Sequence, residues 1–426
     1  MRVLLPYGGR ELGMEIPDQS LQDVALPNPL ISPADQAGEV RRAIENPIGM
    51  PPLEEWVKPD QTVAILCDDI SRPTPTWLIL PILLQKLNDI GLRDAQIFVV
   101  FALGSHRPMT EAEIERKLGK AVKTRLSYYQ SQFDNPSQQT YLGQTKEGVR
   151  IWADRKAMAA DLRIGIGSIV PHPAVGWSGG GKIIYPGITG KNTVTAFHLR
   201  HGRTVQNMFG MEESPVRLEM EQWVNQVGLH FIINVVGKPE GLIYKAVAGD
   251  FIRAHRVGVD YAKRLFGVKL RSRADVAVVN SYPAEDDFWQ ATKGVLAGES
   301  IVKDGGTLIL VSPCTEGIGP HPHYPAAIGD PDWETKLQSE FISSGTGADP
   351  LAIAVAATIA RIQRRIRLAL VSEGIDAAES EKAGFIQYSS IDEALNAVLP
   401  QYGPTGKVSV LPYGAETVPM VQCERG

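Results

Sequence analysis

The 426-residue chain is long enough for two or three domains, each with its own core, which excludes a single small module. Its formal charge of -5 is mild for that length and no lysine or arginine stripe is present, so nucleic-acid and membrane-surface roles lack an electrostatic footprint and small anionic ligands are favoured. Cys67, Cys314 and Cys423 are too few and too scattered for a disulfide framework or a zinc site, and no apolar run approaches a membrane span, so the sequence reads as a soluble cytoplasmic protein.

Along the chain, short β-branched runs alternate with longer amphipathic ones. TVAILCDD (62–69) is expected as a buried strand, followed by a helix in TPTWLILPILLQKLNDIG with Thr74 as N-cap and Pro75 at its first position. AQIFVVFALG (95–104) is the next strand, and MTEAEIERKLG opens a helix through a capping box of Thr110 and Glu113. DLRIGIGSIV (161–170) is a third. After a helix ending near Phe266, the polar stretch GVKLRSRAD reads as a hinge. Beyond it, DVAVVN, GTLILVSP and IRLALVSEG read as strands of a second domain, with helices in PLAIAVAATIARIQRR and SIDEALNAVLPQYG. The pattern predicts two α/β lobes with mostly parallel sheets and an active site in the cleft between them. The N-terminal domain is expected over 1–268 and the C-terminal one over 275–404. The shared LPYG of LLPYGGRE (4–11) and VLPYGAET (410–417) suggests that 405–426 return to the first domain.

Ligands of open α/β sheets sit beyond the carboxyl ends of the strands. There the first strand delivers Asp68, Asp69, Ser71 and Arg72, the second His106 and Arg107, and the third His172. Taken singly, such residues are more often caps, turn formers or surface ion pairs, but their convergence from three strands points to a site for an anionic substrate and proton traffic. GWSGGGKI has the spacing of a phosphate loop, yet Ile183 stands where Ser or Thr would hold magnesium. GIGSIV starts like a dinucleotide fingerprint but has Val170 at its third glycine position. What remains is a glycine run, Gly179, Gly180 and Gly181, able to bring backbone N–H groups to an anion, and Lys182 in an apolar setting that would lower its pKa and favour attack on a carbonyl. His198 and His201 share a helix face but make an incomplete metal site, and His321 and His323 in a proline-held loop make a poorer one. His230 and His255 read as structural. In PAEDDFWQATKG, Gln290 and Lys293 fall on one face of a helix beginning near Asp287, placed to clamp a carboxylate or carbonyl from the second lobe.

In this order, DDxSRPTP, GSHRPMT, HPxxGWSGGGK, the histidine of NTVTAFH and FWQATKG resemble the lactate racemase family, the nickel-pincer nucleotide enzymes, over a span from Asp68 to Lys293. The resemblance implies a racemase or epimerase of small 2-hydroxy acids, lactate- or malate-like, acting by hydride transfer through a 2-keto acid. It implies a pyridinium-3,5-bisthiocarboxylic acid mononucleotide carrying nickel, tethered to Lys182, with His198 as the protein's nickel ligand and with cofactor-forming and nickel-inserting enzymes as partners. By the same resemblance His106 and His172 are the acid/base pair, Arg72 the carboxylate contact, Gln290 and Lys293 the second-lobe contribution, and Asp69 and the glycine run holders of substrate or phosphate. A second carboxylate, as in malate, would have Arg107 and Lys293 to receive it. Two other classes compete: a nicotinamide-dependent dehydrogenase, which needs a working dinucleotide turn, and a non-catalytic carrier of nickel or nucleotide, which has no use for His106, His172 and Arg72 together.

Overall fold

The computed structural model describes residues 1–29, 31–238, 241–338 and 349–421; Cys423 lies outside them, and Cys67 and Cys314 are free and buried. The apolar runs form two six-stranded sheets. In chain order the strands are β1 (Leu21–Val24), β2 (Val63–Cys67), β3 (Ile97–Phe101), β4 (Ser127–Gln130), β5 (Leu162–Ser168), β6 (Phe231–Gly237), β7 (Ile243–Gly249), β8 (Ala274–Asn280), β9 (Val302–Val311), β10 (Arg367–Val371), β11 (Ile386–Tyr388) and β12 (Val408–Leu411).

The first sheet runs β7-β6-β5-β2-β3-β4, parallel except for β7. Its strands read as continuous apolar runs because both faces are covered. Val63, Ile65 and Cys67 pack under helices 36–45, 76–90 and 111–118, while Ala64 and Leu66 face helices 215–227 and 253–266. The chain steps from β2 outward to β3 and β4, then returns to lay β5 on the other side of β2. The carboxyl ends of β2 and β5 therefore flank a topological switch point, where such sheets bind ligands.

The second sheet, β11-β10-β9-β8-β12-β1, is parallel throughout. Ala277, Val279, Leu308 and Leu310 face helix 350–363, and the alternating Val276, Val278, Ile309 and Val311 face helix 391–398 and an N-terminal hairpin of strands Arg2–Tyr7 and Arg10–Glu15. The expected boundaries change here. Residues 1–25 belong to the second lobe, since β1 pairs with β12 and Leu5, Tyr7 and Met14 fill that lobe's core. The two LPYG segments meet there as well: the Asn280 side-chain amide donates to Pro6 O, and Gly414 N–H donates to Asn280 O. The expected hinge is partly a strand, Gly267–Leu270, paired with Val418–Val421. The helix expected to start at Pro75 runs from Thr76 to Ile90 without a side-chain cap, because the Thr74 hydroxyl is bonded to Asp68 instead. The Thr110–Glu113 capping box is present.

The lobes are joined by helix 191–203 lying on helix 350–363. Gly202 permits the approach, since a Cβ there would stand 2.3 Å from Ala354 O. Arg361 locks the contact by donating to Gly202 O and Thr204 O.

Candidate active site

Between the lobes, at the β2/β5 switch point, lies a cleft enclosing about 1170 Å3, solvent at its mouth included. Asp69, Arg72, His106, His172, Gly179, Lys182 and His198 line it from the first lobe, and Trp289, Gln290 and Lys293 from the second. Of the strand-end residues singled out in sequence, Asp68, Asp69, Arg72, His106 and His172 share this cavity, while Ser71 and Arg107 lie outside its lining.

Asp69 is buried, accepting from the Ser71 hydroxyl at 2.5 Å and contacting His106 Nδ1 at 2.5 Å. Burial by itself would raise this carboxyl, but His106, Arg72 and Ser71 outweigh it and hold Asp69 ionised well below the usual range. Asp69, expected to hold substrate or phosphate, thus lies at the cleft wall paired with His106. Asp68 is bonded to Thr74 and stands 2.7 Å from Lys117 Nζ, a buried pair that anchors the loop after β2.

From the second lobe, Asp287 caps the helix Phe288–Ala291 by accepting from Gln290 N–H. This aims Gln290, whose amide nitrogen lies 3.3 Å from His106 Nε2 while its oxygen accepts from Lys293. Burial, together with Arg72 and Lys182, holds Lys293 well below the ordinary lysine range. Arg72 donates only to the oxygens of Ser71 among the described residues, leaving most of its fork for a ligand.

His172 sits in a tight antiparallel pair with Gly176, its Nδ1 accepting from Ala174 N–H at 3.1 Å. Burial, then the charges of Lys182, Lys293 and Arg72, keep it neutral. A Cβ on Gly176 would overlap Met211 O at 1.7 Å, so only glycine closes that pair. Beneath it buried Arg217 donates to Val175 O and Trp177 O and pairs with Glu221.

The glycine run differs from expectation. Gly179 reaches the cleft wall, but Gly180 N–H is taken by Asn234 Oδ1, and Cβ atoms on Gly180 and Gly181 would press on His255 and Val224. Those two glycines permit close packing against helices 253–266 and 215–227 and present no bare anion cradle. Asn234, a polar residue inside the apolar strand β6, was the available sequence signal for this support. The run still delivers Lys182, whose amine is pushed down to about 7 by burial first and Arg72 second. At neutral pH a large share of this amine is unprotonated and nucleophilic.

His198 Nδ1 donates to Val194 O at 2.8 Å, which leaves Nε2 as the lone-pair nitrogen, and burial lowers its pKa to about 3. His201, one turn on, is buried at the same wall with Nδ1 unpartnered. Among the described residues no three His, Cys, Asp or Glu side chains converge as a metal cage. One neutral imidazole beside one reactive lysine fits a metal whose other donors arrive on an organic group bound through that lysine. His255 Nε2 donates to Ser178 O and His230 Nδ1 accepts from Arg163 N–H, both structural, while His321 pairs with Asp349 behind Trp289. Arg107 is not free for a second carboxylate: it is exposed and bound to Glu113 at 2.9 Å and, across the lobes, to Glu316 at 3.1 Å.

Residues 7–208 match the family model described as lactate racemase N-terminal domain, and residues 270–418 that described as lactate racemase C-terminal domain. The chain is 29% identical to lactate racemase of Lactiplantibacillus plantarum, covering 96% of this chain and 97% of that one. It is also 29% identical to lactate racemase of Thermoanaerobacterium thermosaccharolyticum, over 74% and 75% of the two chains. The solved lactate racemase apoprotein from the latter organism superposes with a TM-score of 0.87 at 26% identity, covering 99% of this chain and 100% of that chain. A Thermotoga maritima structure shares the fold at TM-score 0.69 and 18% identity, covering 91% and 98%.

Proposed function

Because the chain belongs to the lactate racemase family, we propose that it racemises a small monocarboxylic 2-hydroxy acid of the lactate class, using a nickel-pincer nucleotide tethered to Lys182. The observation that carries this reading is one cleft lined by a lysine with its amine lowered to about 7, by His198 with its Nδ1 donated to Val194 O, and by His106 and His172. Cofactor-forming and nickel-inserting enzymes would be its partners in the cytoplasm; no helix among the described residues is long and apolar enough to cross a membrane.

The C2 hydrogen of a 2-hydroxy carboxylate is a poor proton, because the adjacent carboxylate already disfavours a carbanion. When bound, the cofactor would supply a hydride acceptor and donor, chemistry that no side chain offers. The protein's part is to bind, orient and move the hydroxyl proton. Arg72 holds the substrate carboxylate through its open fork. His106, backed by ionised Asp69, exchanges the hydroxyl proton at Nε2, and His172 faces the same cavity for the opposite hand. Gln290 and Lys293 line the cleft from the second lobe. With Arg107 committed to Glu113 and Glu316, Arg72 is the arginine left for a carboxylate at this cleft, which favours lactate-like over malate-like acids.

The dehydrogenase alternative meets a structural obstacle. After β5 the chain bonds Val170 to Ser178 and turns into the 171–177 hairpin, so no helix N-terminus receives a pyrophosphate there. A carrier would leave the Asp69–His106–Gln290 chain without a purpose.

Intact mass of the chain co-expressed with cofactor-forming enzymes tests the tether. We expect added nucleotide mass on the wild type and none on Lys182→Ala; equal added mass on both would refute attachment at Lys182.

A further inference from the structure

His106 and His172, which both line the cleft, are held by different partners, and those partners fix where each ring keeps its proton. At His106 the chain of bonds has one consistent direction. Asp69, held ionised, can only accept at its 2.5 Å contact, so His106 Nδ1 must donate there and Nε2 is left to receive the Gln290 amide, whose oxygen accepts from Lys293. Nε2 is then an acceptor, and the ring proton lies on Nδ1 against the ionised Asp69. At His172 the partner is a backbone N–H, that of Ala174, which can only donate. Nδ1 must therefore carry the lone pair, and the neutral ring carries its proton on Nε2, toward the cleft.

We propose that His106 and His172 rest in opposite tautomers, so that His106 presents a proton-accepting Nε2 to the cleft and His172 an Nε2–H that can only donate a hydrogen bond. This rests on the racemase reading for its consequence but not for its geometry. The antipode whose hydroxyl meets His106 displaces the Gln290 amide and gives its proton to Nε2. An imidazolium paired with Asp69 results, while the C2 hydrogen leaves separately with its electron pair for the hydride acceptor. The antipode whose hydroxyl meets His172 finds Nε2 already protonated. Before His172 can accept a proton there, Nδ1 must give up the Ala174 N–H and take the ring proton, which requires the His172–Pro173–Ala174 turn to shift. The two hands of the substrate thus enter by unequal routes, and the turn that ends in the Gly176 pair is a positioning element for one of them only.

Two-bond 1H–15N spectra of the 15N-histidine-labelled apoprotein, taken at about pH 9, beyond the ordinary histidine range, read both rings at once. His106→Gln and His172→Gln variants assign the signals by loss. The expected result is a protonated Nδ1 with unprotonated Nε2 for His106 and the reverse for His172. Nδ1–H at His172, or Nε2–H at His106, overturns the proposal. Because the spectrum needs neither cofactor nor turnover, a chain showing opposite tautomers but no racemisation when loaded would contradict the function proposed above and leave this inference standing.

Discussion

Lys182 shows how far a residue's surroundings can depart from its composition. Its amine is brought to about 7 mainly by burial, opposed in part by Asp69 and Asp68. An unfolded lysine keeps its proton up to about pH 10.5. Between about pH 7 and 10.5 the unfolded state therefore binds more protons than the folded one, so the stability of the apoprotein traceable to Lys182 rises with pH across that window. Lys182→Met should stabilise the apoprotein at pH 7 by on the order of 1 kcal/mol, discounted because the amine keeps some contact with cleft water, and the gain should vanish toward pH 10.5. Chemical denaturation of both proteins at several pH values checks this; a pH-independent difference would contradict it. The residue types at the site were legible because strand ends concentrate them. Their pairings were not: nothing local in DDISRP says that Asp69 turns to His106, or that Asn234 would occupy the N–H of Gly180.

At the scale of elements, apolar periodicity located the buried strands and the long helices, since each is written in neighbouring residues. It misplaced the first twenty-five residues because β1 pairs with β12, a contact between segments at opposite ends of the chain that no local pattern encodes. The helix after β2 began one residue late for a related reason, Thr74 being drawn away to Asp68. Helix 191–203 joins sequence to function most directly, because it carries His198 and docks on the second lobe through Gly202. In an unhindered helix, Gly→Ala gains roughly 0.5–1 kcal/mol. Here the added Cβ meets Ala354 O at 2.3 Å, so Gly202→Ala should instead destabilise the protein by about 1–3 kcal/mol. The midpoint of urea unfolding reads the sign, and a stabilised variant would show that the two helices are not so closely packed.

At the scale of the molecule, the two lobes divide the work. The first carries Lys182, His106, His172 and Arg72 at its switch point, and the second brings Gln290 and Lys293 to the same cleft. The first lobe alone would leave His106 with Asp69 but without Gln290. The proposed hydride step keeps the C2 hydrogen within this cleft and returns it to the same carbon. Racemisation of C2-deuterated lactate by the cofactor-loaded enzyme, followed by mass and chirality together, tests it most directly. Loss of optical activity with deuterium largely retained at C2 is the predicted result; deuterium lost to water as chirality is lost, or no racemisation at all, would contradict it.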